Sequence, residues 1–196
     1  MLHSQNPNSS FVPGATKNGV YDTSPSQTLY LFVDVKTDGN TTFPAVVAAL
    51  QPLRDAGYLT TFDGTTVTQG PVTVIGTGNT PLSQVQGVSP RDYFWDAPIP
   101  ILAVISSTVS PVASTNFNVF FPGIRGNGGL NDAQKVLLAA QVALATAKGM
   151  KLRFWDQPGW PVGTRNGVWR ALWDGGVGLL NVDDLEAAAD FWESKG

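Results

Sequence analysis

The first long apolar run is Leu29-Tyr30-Leu31-Phe32-Val33, closed by Asp34-Val35-Lys36. Polar groups gathered at the C-terminal end of such a run predict a buried parallel strand whose last side chains emerge at a site. Thr37 to Asn40 turn the chain. Phe43 to Ala56 then carries Phe43, Val46, Val47, Leu50 and Leu53 at the spacing of a helical packing face, with Thr41 or Thr42 as cap and Gly57 as stop. Pro52 removes a helix hydrogen bond, so a kink or an early end is expected there. Tyr58 to Phe62 reads as extended, Asp63-Gly64 as a hairpin-like turn, and Val72 to Ile75 as the next buried strand, running into Gly76-Thr77-Gly78-Asn79.

Further along, Pro81 to Gln86 predicts a short helix and Arg91 to Trp95 a short strand. Ala97 to Val112 is interrupted by prolines and stays unassigned. Asn131 to Lys148 is the most regular helix, capped by Asn131, ended by Gly149, and given a packing stripe by Val136, Leu137, Ala140 and Leu144. Lys151 to Trp155 predicts a strand, Gln157 to Pro161 an aromatic loop, Asn166 to Trp173 a short helix, Val177 to Val182 a last strand and Asp183 to Trp192 a final helix. Alternating strands and helices of these lengths predict an α/β fold, either a barrel or an open doubly wound sheet. Asp34, Lys36, Asn79, Asp96, Asp156 and Asp183 all fall at strand ends, the face on which an α/β barrel keeps its chemistry.

Residues 1–28 are rich in Ser, Asn, Pro and Gly and read as a flexible or irregular segment preceding the folded part, 29–196. The 196 residues are 42% apolar, enough for a core, and only 14% charged, with a formal charge of −3 and scattered Lys and Arg. That balance argues against nucleic-acid binding. Cysteine is absent and His3 is the single histidine, which excludes thiol chemistry, Cys/His zinc clusters and a credible Ser-His-Asp triad. No run of about 20 apolar residues predicts a transmembrane segment, and Met1 to Pro13 has neither the basic region nor the apolar core of a secretion signal. The glycine-rich stretches lack a nucleotide-loop pattern.

Two groups can carry chemistry. Asp34 and Lys36 share strand parity, so a carboxylate able to hold a metal and an ammonium able to meet a phosphate oxygen point to one side. The plain alternative is an ion pair or two solvated strand-end charges. Arg153 and Trp155 also share parity and combine an anion-binding fork with an aromatic wall, or else Trp155 packs core and Arg153 pairs with an acidic helix end. Trp160 is either a lip over a cavity or a hydrophobic plug. Trp169, Trp173 and Trp192 are expected to bury one face against a sheet.

Asp34-Val35-Lys36-Thr37-Asp38-Gly39, Arg153-Phe154-Trp155-Asp156, Gly159-Trp160-Pro161 and Gly178-Leu179-Leu180-Asn181-Val182-Asp183-Asp184 together resemble the fungal altered inheritance of mitochondria protein 6 family, from about Leu29 to Trp192. That family belongs to the phospholipase-C-like (PLC-like) phosphodiesterases and is related in fold to glycerophosphodiester phosphodiesterases and spider-venom phospholipase D. The resemblance implies a partial TIM (β/α) barrel with its N-terminal strands missing. It implies Asp34 as a ligand of Mg²⁺ or Ca²⁺ in the complete enzyme, Lys36 as the catalytic and phosphate-binding cation, and Trp155 as a pocket wall. Arg153 is added as a second phosphate contact on parity, and Trp160 as a substrate-binding aromatic.

The family's upstream histidines and Glu-x-Asp pair have no counterpart here, so a truncated or catalytically impaired phosphoric diester hydrolase of lipid metabolism is expected, with a phosphodiester or lipid headgroup as substrate. A glycoside-hydrolase-like barrel pairing Asp34 with Asp156 or Asp183 is the alternative within enzymes. A non-catalytic fragment that binds an anion, or a partner through exposed barrel edges, is the alternative outside them.

Overall fold

A computed structural model describes residues 1–7 and 16–193. They form two compact units, Met1–Asp96 with Thr108–Ser110, and Ala97–Ser107 with Pro111–Gly196. Each unit is α/β, with parallel strands joined by crossovers, as the alternation of the sequence predicts.

The first unit opens with a helical turn, α1 (Leu2–Gln5), which brings His3 Nδ1 to 3.0 Å from the Tyr58 hydroxyl. Residues 16–28 of the segment expected to be flexible or irregular carry no helix or strand, and residues 8–15 lie outside the described residues. β1 (Leu29–Val35) follows. Asp38 caps α2 (Gly39–Ala49), in place of Thr41 or Thr42. α3 (Gln51–Asp55) holds Pro52 in its first turn, so the helix expected over Phe43 to Ala56 is split at Leu50. β2 (Thr61–Phe62) and β3 (Val67–Thr68) close the expected hairpin, whose turn is tied by Asp63 accepting from the amides of Thr65 and Thr66, each at 2.7 Å.

β4 (Val72–Gly78) is the central strand of this unit, paired with β1 along its whole length and with β5 (Phe94–Pro98) beyond the short helix α4 (Ser83–Gln86). Its first five residues are buried, which is why Val72 to Ile75 reads as an unbroken apolar and Thr run. Phe43 of α2 meets the ring of Tyr93 edge-on at 5.3 Å above this sheet. Segment Thr108–Ser110 joins the unit because Trp95 donates its amide to the Val109 carbonyl at 2.9 Å. The Arg91 guanidinium donates to the carbonyls of Thr108 and Val88 while stacking on Phe62 at 4.2 Å. Burial pushes that guanidinium below its ordinary pKa.

The second unit runs through β6 (Val112–Asn116), α5 (Asp132–Ala147), β7 (Lys151–Trp155), α6 (Val162–Asp174), β8 (Leu179–Leu180) and α7 (Leu185–Glu193). β7 pairs with β6 on one side and β8 on the other. Phe117, Phe121 and Phe154 form the aromatic centre of this core, all fully buried, with ring separations of 5.2 to 6.5 Å. The glycine-rich stretch Gly123 to Gly129 packs on α6: at Gly128, with φ of +70°, a Cβ would strike the backbone of Thr164 and Val168. Of the expected structural tryptophans, Trp169 is buried edge-on against Phe191, whereas Trp173 and Trp192 are exposed and pack on each other at 4.5 Å.

α5 corrects one expectation. Asn131 caps it in a reciprocal box with Gln134, as the sequence signals. Its buried residues, however, are Leu138 and Ala145, and the stripe of Val136, Leu137, Ala140 and Leu144 faces outward. Apolar residues occur on every side of this Ala- and Leu-rich helix, so periodicity alone does not select the inner face.

Phe154→Ala should lower unfolding stability by about 3–5 kcal/mol, because the cavity opens among fully buried rings. Val136→Ala on the outer face of α5 should leave stability unchanged or slightly raised. Urea titrations of the two variants against the parent check both expectations. Equal midpoints for the two would contradict this assignment of the core.

Candidate functional site

The polar strand ends of the first unit lie in one row. Asp34 of β1 is the register partner of Thr77 of β4, and the β4–β5 register, Ile75 with Phe94 and Gly76 with Trp95, continues to set Thr77 beside Asp96. Paired residues of parallel strands face the same way, so Asp34, Thr77 and Asp96 share one face, the outer two about 10 Å apart at two strand spacings. Thr77 donates its hydroxyl to Asp96 at 2.7 Å. Asp34 sits over Gly78, whose φ of +64° belongs to the left-handed region and whose missing Cβ leaves the space that the Asp34 carboxylate occupies.

Lys36 follows β1 by one residue and binds Asp34 at 2.7 Å, with the two side chains 79% and 46% exposed. The shared parity expected from the sequence therefore brings these two groups together, in water. An ion pair this exposed contributes little to stability and leaves the ammonium accessible. Below it, Asn79 braces the turn by donating to the carbonyls of Lys36 and Thr37 at 3.3 and 3.0 Å. An open depression of about 450 Å³ is lined here by Thr37, Asp38, Asn40, Asn79, Thr80 and neighbouring backbone. Asp38 fills the N-terminus of α2 with its own carboxylate, accepting from the hydroxyl and amide of Thr41 at 2.7 and 2.9 Å. Those bonds, the hydroxyl's first, hold its pKa below the ordinary carboxylate value. The carboxylate of Asp38 thus occupies the place at these helix amides that an external anion would take.

In the second unit, Leu152 and Phe154 point into the core, and Arg153 and Trp155 share the opposite face of β7. Arg153 donates to Asn181 at 2.6 Å and to Ser114 at 3.5 Å. Trp155 is more than a third exposed. Asp156 takes a left-handed φ of 58° and accepts from Asn116 at 2.6 Å, which fixes the corner after β7. A smaller cavity of about 150 Å³ lies among Gln157, Arg165, Trp169, Asn181 and Asp183. Arg165 crosses it, 3.1 Å from Asp184 and stacked 4.7 Å from the Trp169 ring centre. Trp160 is 78% exposed and does not line this cavity, so it is not a buried plug.

Residues that carry the geometry without standing out in the sequence are Thr77 and Asn116, and Asn181 stands in a quoted motif without a role of its own. Asp96 was visible as a strand-end acid, but its Thr77 partner depends on the register of two strands. Among the described residues, no group of three or more Asp, Glu, His or Cys side chains is arranged to hold a metal ion. Asp34 alone, already bound to Lys36, does not provide the several oxygen ligands a Mg²⁺ or Ca²⁺ ion takes. Among the same residues no helix is long and apolar enough to cross a membrane.

Residues 1–96, the main segment of the first unit, match the AIM6-like phosphodiesterase domain family. The chain is 47% identical over 195 residues to a protein of Arthroderma benhamiae named altered inheritance of mitochondria protein 6 homolog, covering 98% of this chain and 62% of that protein. Proteins named altered inheritance of mitochondria protein 6 from Eremothecium gossypii and Lachancea thermotolerans are 34% and 33% identical, and the matches cover 88% and 87% of this chain but 49% and 46% of theirs. The chain thus spans roughly half to three fifths of the length of these relatives. No solved structure matches it.

Gly78→Ala should cost on the order of 1–3 kcal/mol for the left-handed backbone alone, and should also displace Asp34, measurable by melting and by a changed Lys36 environment in NMR. The Asp38 cap has a defined pH signature. Its contribution is complete above the ordinary value of 3.8 and is lost as pH falls through the lowered pKa of the folded state. The melting temperature of Asp38→Ala should therefore lie below the parent's at pH 6 and approach it at acid pH. Asp38→Asn should show a much flatter dependence on pH.

Proposed function

The chain belongs to the fungal altered inheritance of mitochondria protein 6 family, and from that membership and the Asp34–Lys36 pair we propose that it is a phosphoric diester hydrolase-like protein whose phosphate-binding cation is Lys36. The observation that carries this reading is the solvent-facing ammonium of Lys36, oriented by Asp34 at the end of a parallel strand. A compact ammonium there meets a phosphate oxygen as a point charge. Lys36 is the catalytic candidate because the same contact offsets charge that develops on phosphorus oxygens during displacement. Arg153 and Trp155 give the second unit the same type of chemistry, a planar cationic fork beside an aromatic face, and Trp160 adds an exposed ring in the following loop. The substrate class is a small phosphodiester such as a glycerol or lipid headgroup, and the PLC-like (β/α) barrel is the fold this reading assigns to the family's complete enzyme.

Turnover by this chain alone is proposed to be impaired. Displacement at a phosphodiester calls for a proton acceptor and a proton donor on opposite sides of phosphorus. The single histidine, His3, is bound to Tyr58 at 3.0 Å on the docked N-terminal turn. The described donor set does not fit Mg²⁺ or Ca²⁺, so no step of the reading runs through a metal.

The test uses the full chain with glycerophosphocholine or inorganic phosphate, followed by calorimetry or NMR titration in metal-free buffer. Lys36→Ala should weaken binding about tenfold, the loss of one charge-assisted hydrogen bond. Asp34→Ala, which frees the ammonium, should bind the anion as well as or better than the parent. Unchanged affinity in Lys36→Ala would remove this site, and a large loss in Asp34→Ala would show that the carboxylate acts on the ligand directly.

A further inference from the structure

We propose that the outer face of α5 is a self-association surface on which two copies of this chain pair antiparallel about a two-fold axis at Ala140. This helix of 16 residues buries only Leu138 and Ala145 in its own unit. Its exposed face is built from Ala133, Val136, Leu137, Ala140, Leu144 and Ala147, with Val136 70% exposed. A continuous outward apolar stripe of this kind on a well-capped helix marks an interaction surface.

The order of residues on that stripe commits it to a second copy. Reversing the helix about Ala140 superposes Ala133 on Ala147, Val136 on Leu144, and Leu137 on Ala143, which is exposed as well, so every apolar position of the face meets an apolar one. Each branched side chain then meets a partner position that is also apolar, and Ala140 at the centre lets the backbones approach closely. The same reversal exchanges Asp132, which lies 3.4 Å from Lys135 in the first turn, with Lys148, which donates to the Ala103 carbonyl at 3.0 Å. In the antiparallel pair the two helix dipoles oppose one another favourably. An isologous contact of this kind closes on itself and does not propagate. A face about 24 Å long, at ~1.5 Å per residue, buries less than the ~1,200 Å² of a standard stable complex, so the pairing is reversible and rises with concentration.

The chain contains no cysteine, which makes the register directly measurable with the full protein. Under mild oxidation Ala140→Cys should cross-link to itself. Ala133→Cys and Ala147→Cys should each stay single and should form the mixed disulfide when combined, since only Cα atoms about 4.4–6.8 Å apart can be bridged. Sedimentation velocity should show the average mass of the parent rising toward the dimer up to millimolar concentration, and Leu137→Glu with Leu144→Glu holding it at the monomer. A parent that remains monomeric throughout would overturn the proposal, as would a mass curve unchanged by the two glutamates. So would Ala140→Cys cross-linking no faster than a cysteine at exposed Glu186 of α7, or self-linking of Ala133→Cys without the mixed pair.

Discussion

The seven-residue register between β1 and β4 is the constraint from which the first unit's site follows. Parallel pairing fixes which side chains share a face, and a slip of one residue would send Asp34 to the face of Val35, which is buried. With the register set, Asp34 lies beside Thr77, Thr77 reaches Asp96, and Gly78 supplies the gap into which the carboxylate fits. Lys36 then has one oriented neighbour and open water. None of these contacts is strong alone. Their common origin in the backbone ladder makes the arrangement definite.

The second unit is organised differently, by packing around fully buried phenylalanines. Phe154 anchors β7 from the inner side, so Arg153 and Trp155 are directed to the other face whatever they find there. Arg153 then settles against Asn181 and Ser114. Ser114, the register partner of Arg153, is buried on that same face, and its hydroxyl is tolerated there because it has a hydrogen-bond partner. α5 covers this core with a narrow strip and leaves most of its apolar surface outside, which links a detail of packing to the capacity for self-association.

Several elements were legible because their signals are local. The β7 strand, the Asn131 cap, the Asp63-Gly64 turn and the break near Pro52 each depend on residues within a few positions of one another. β6 was not legible: Val112-Ala113-Ser114-Thr115-Asn116 is short, follows a proline and is mostly polar, and it is a strand because β7 pairs along its full length. The helix expected over Asn166 to Trp173 begins at Val162, and the strand expected over Val177 to Val182 shrinks to Leu179–Leu180. Strand length at a sheet edge is set by the partner available, which no local pattern encodes.

By itself the sequence determined the α/β class, the gathering of charge at strand ends, and the parity that unites Asp34 with Lys36 and Arg153 with Trp155. Through its motifs it also determined the family. Those properties come from chain periodicity and residue chemistry, which act over a few neighbours. Only the tertiary structure decided that Thr77 and Asp96 extend the Asp34 row, that Asp38 closes the start of α2, that Trp160 stands in solvent, and that the apolar stripe of α5 faces outward. Each of these depends on residues brought together by strand register or by competition between several apolar faces for one core. That choice is made by the packed molecule and not by any segment of it.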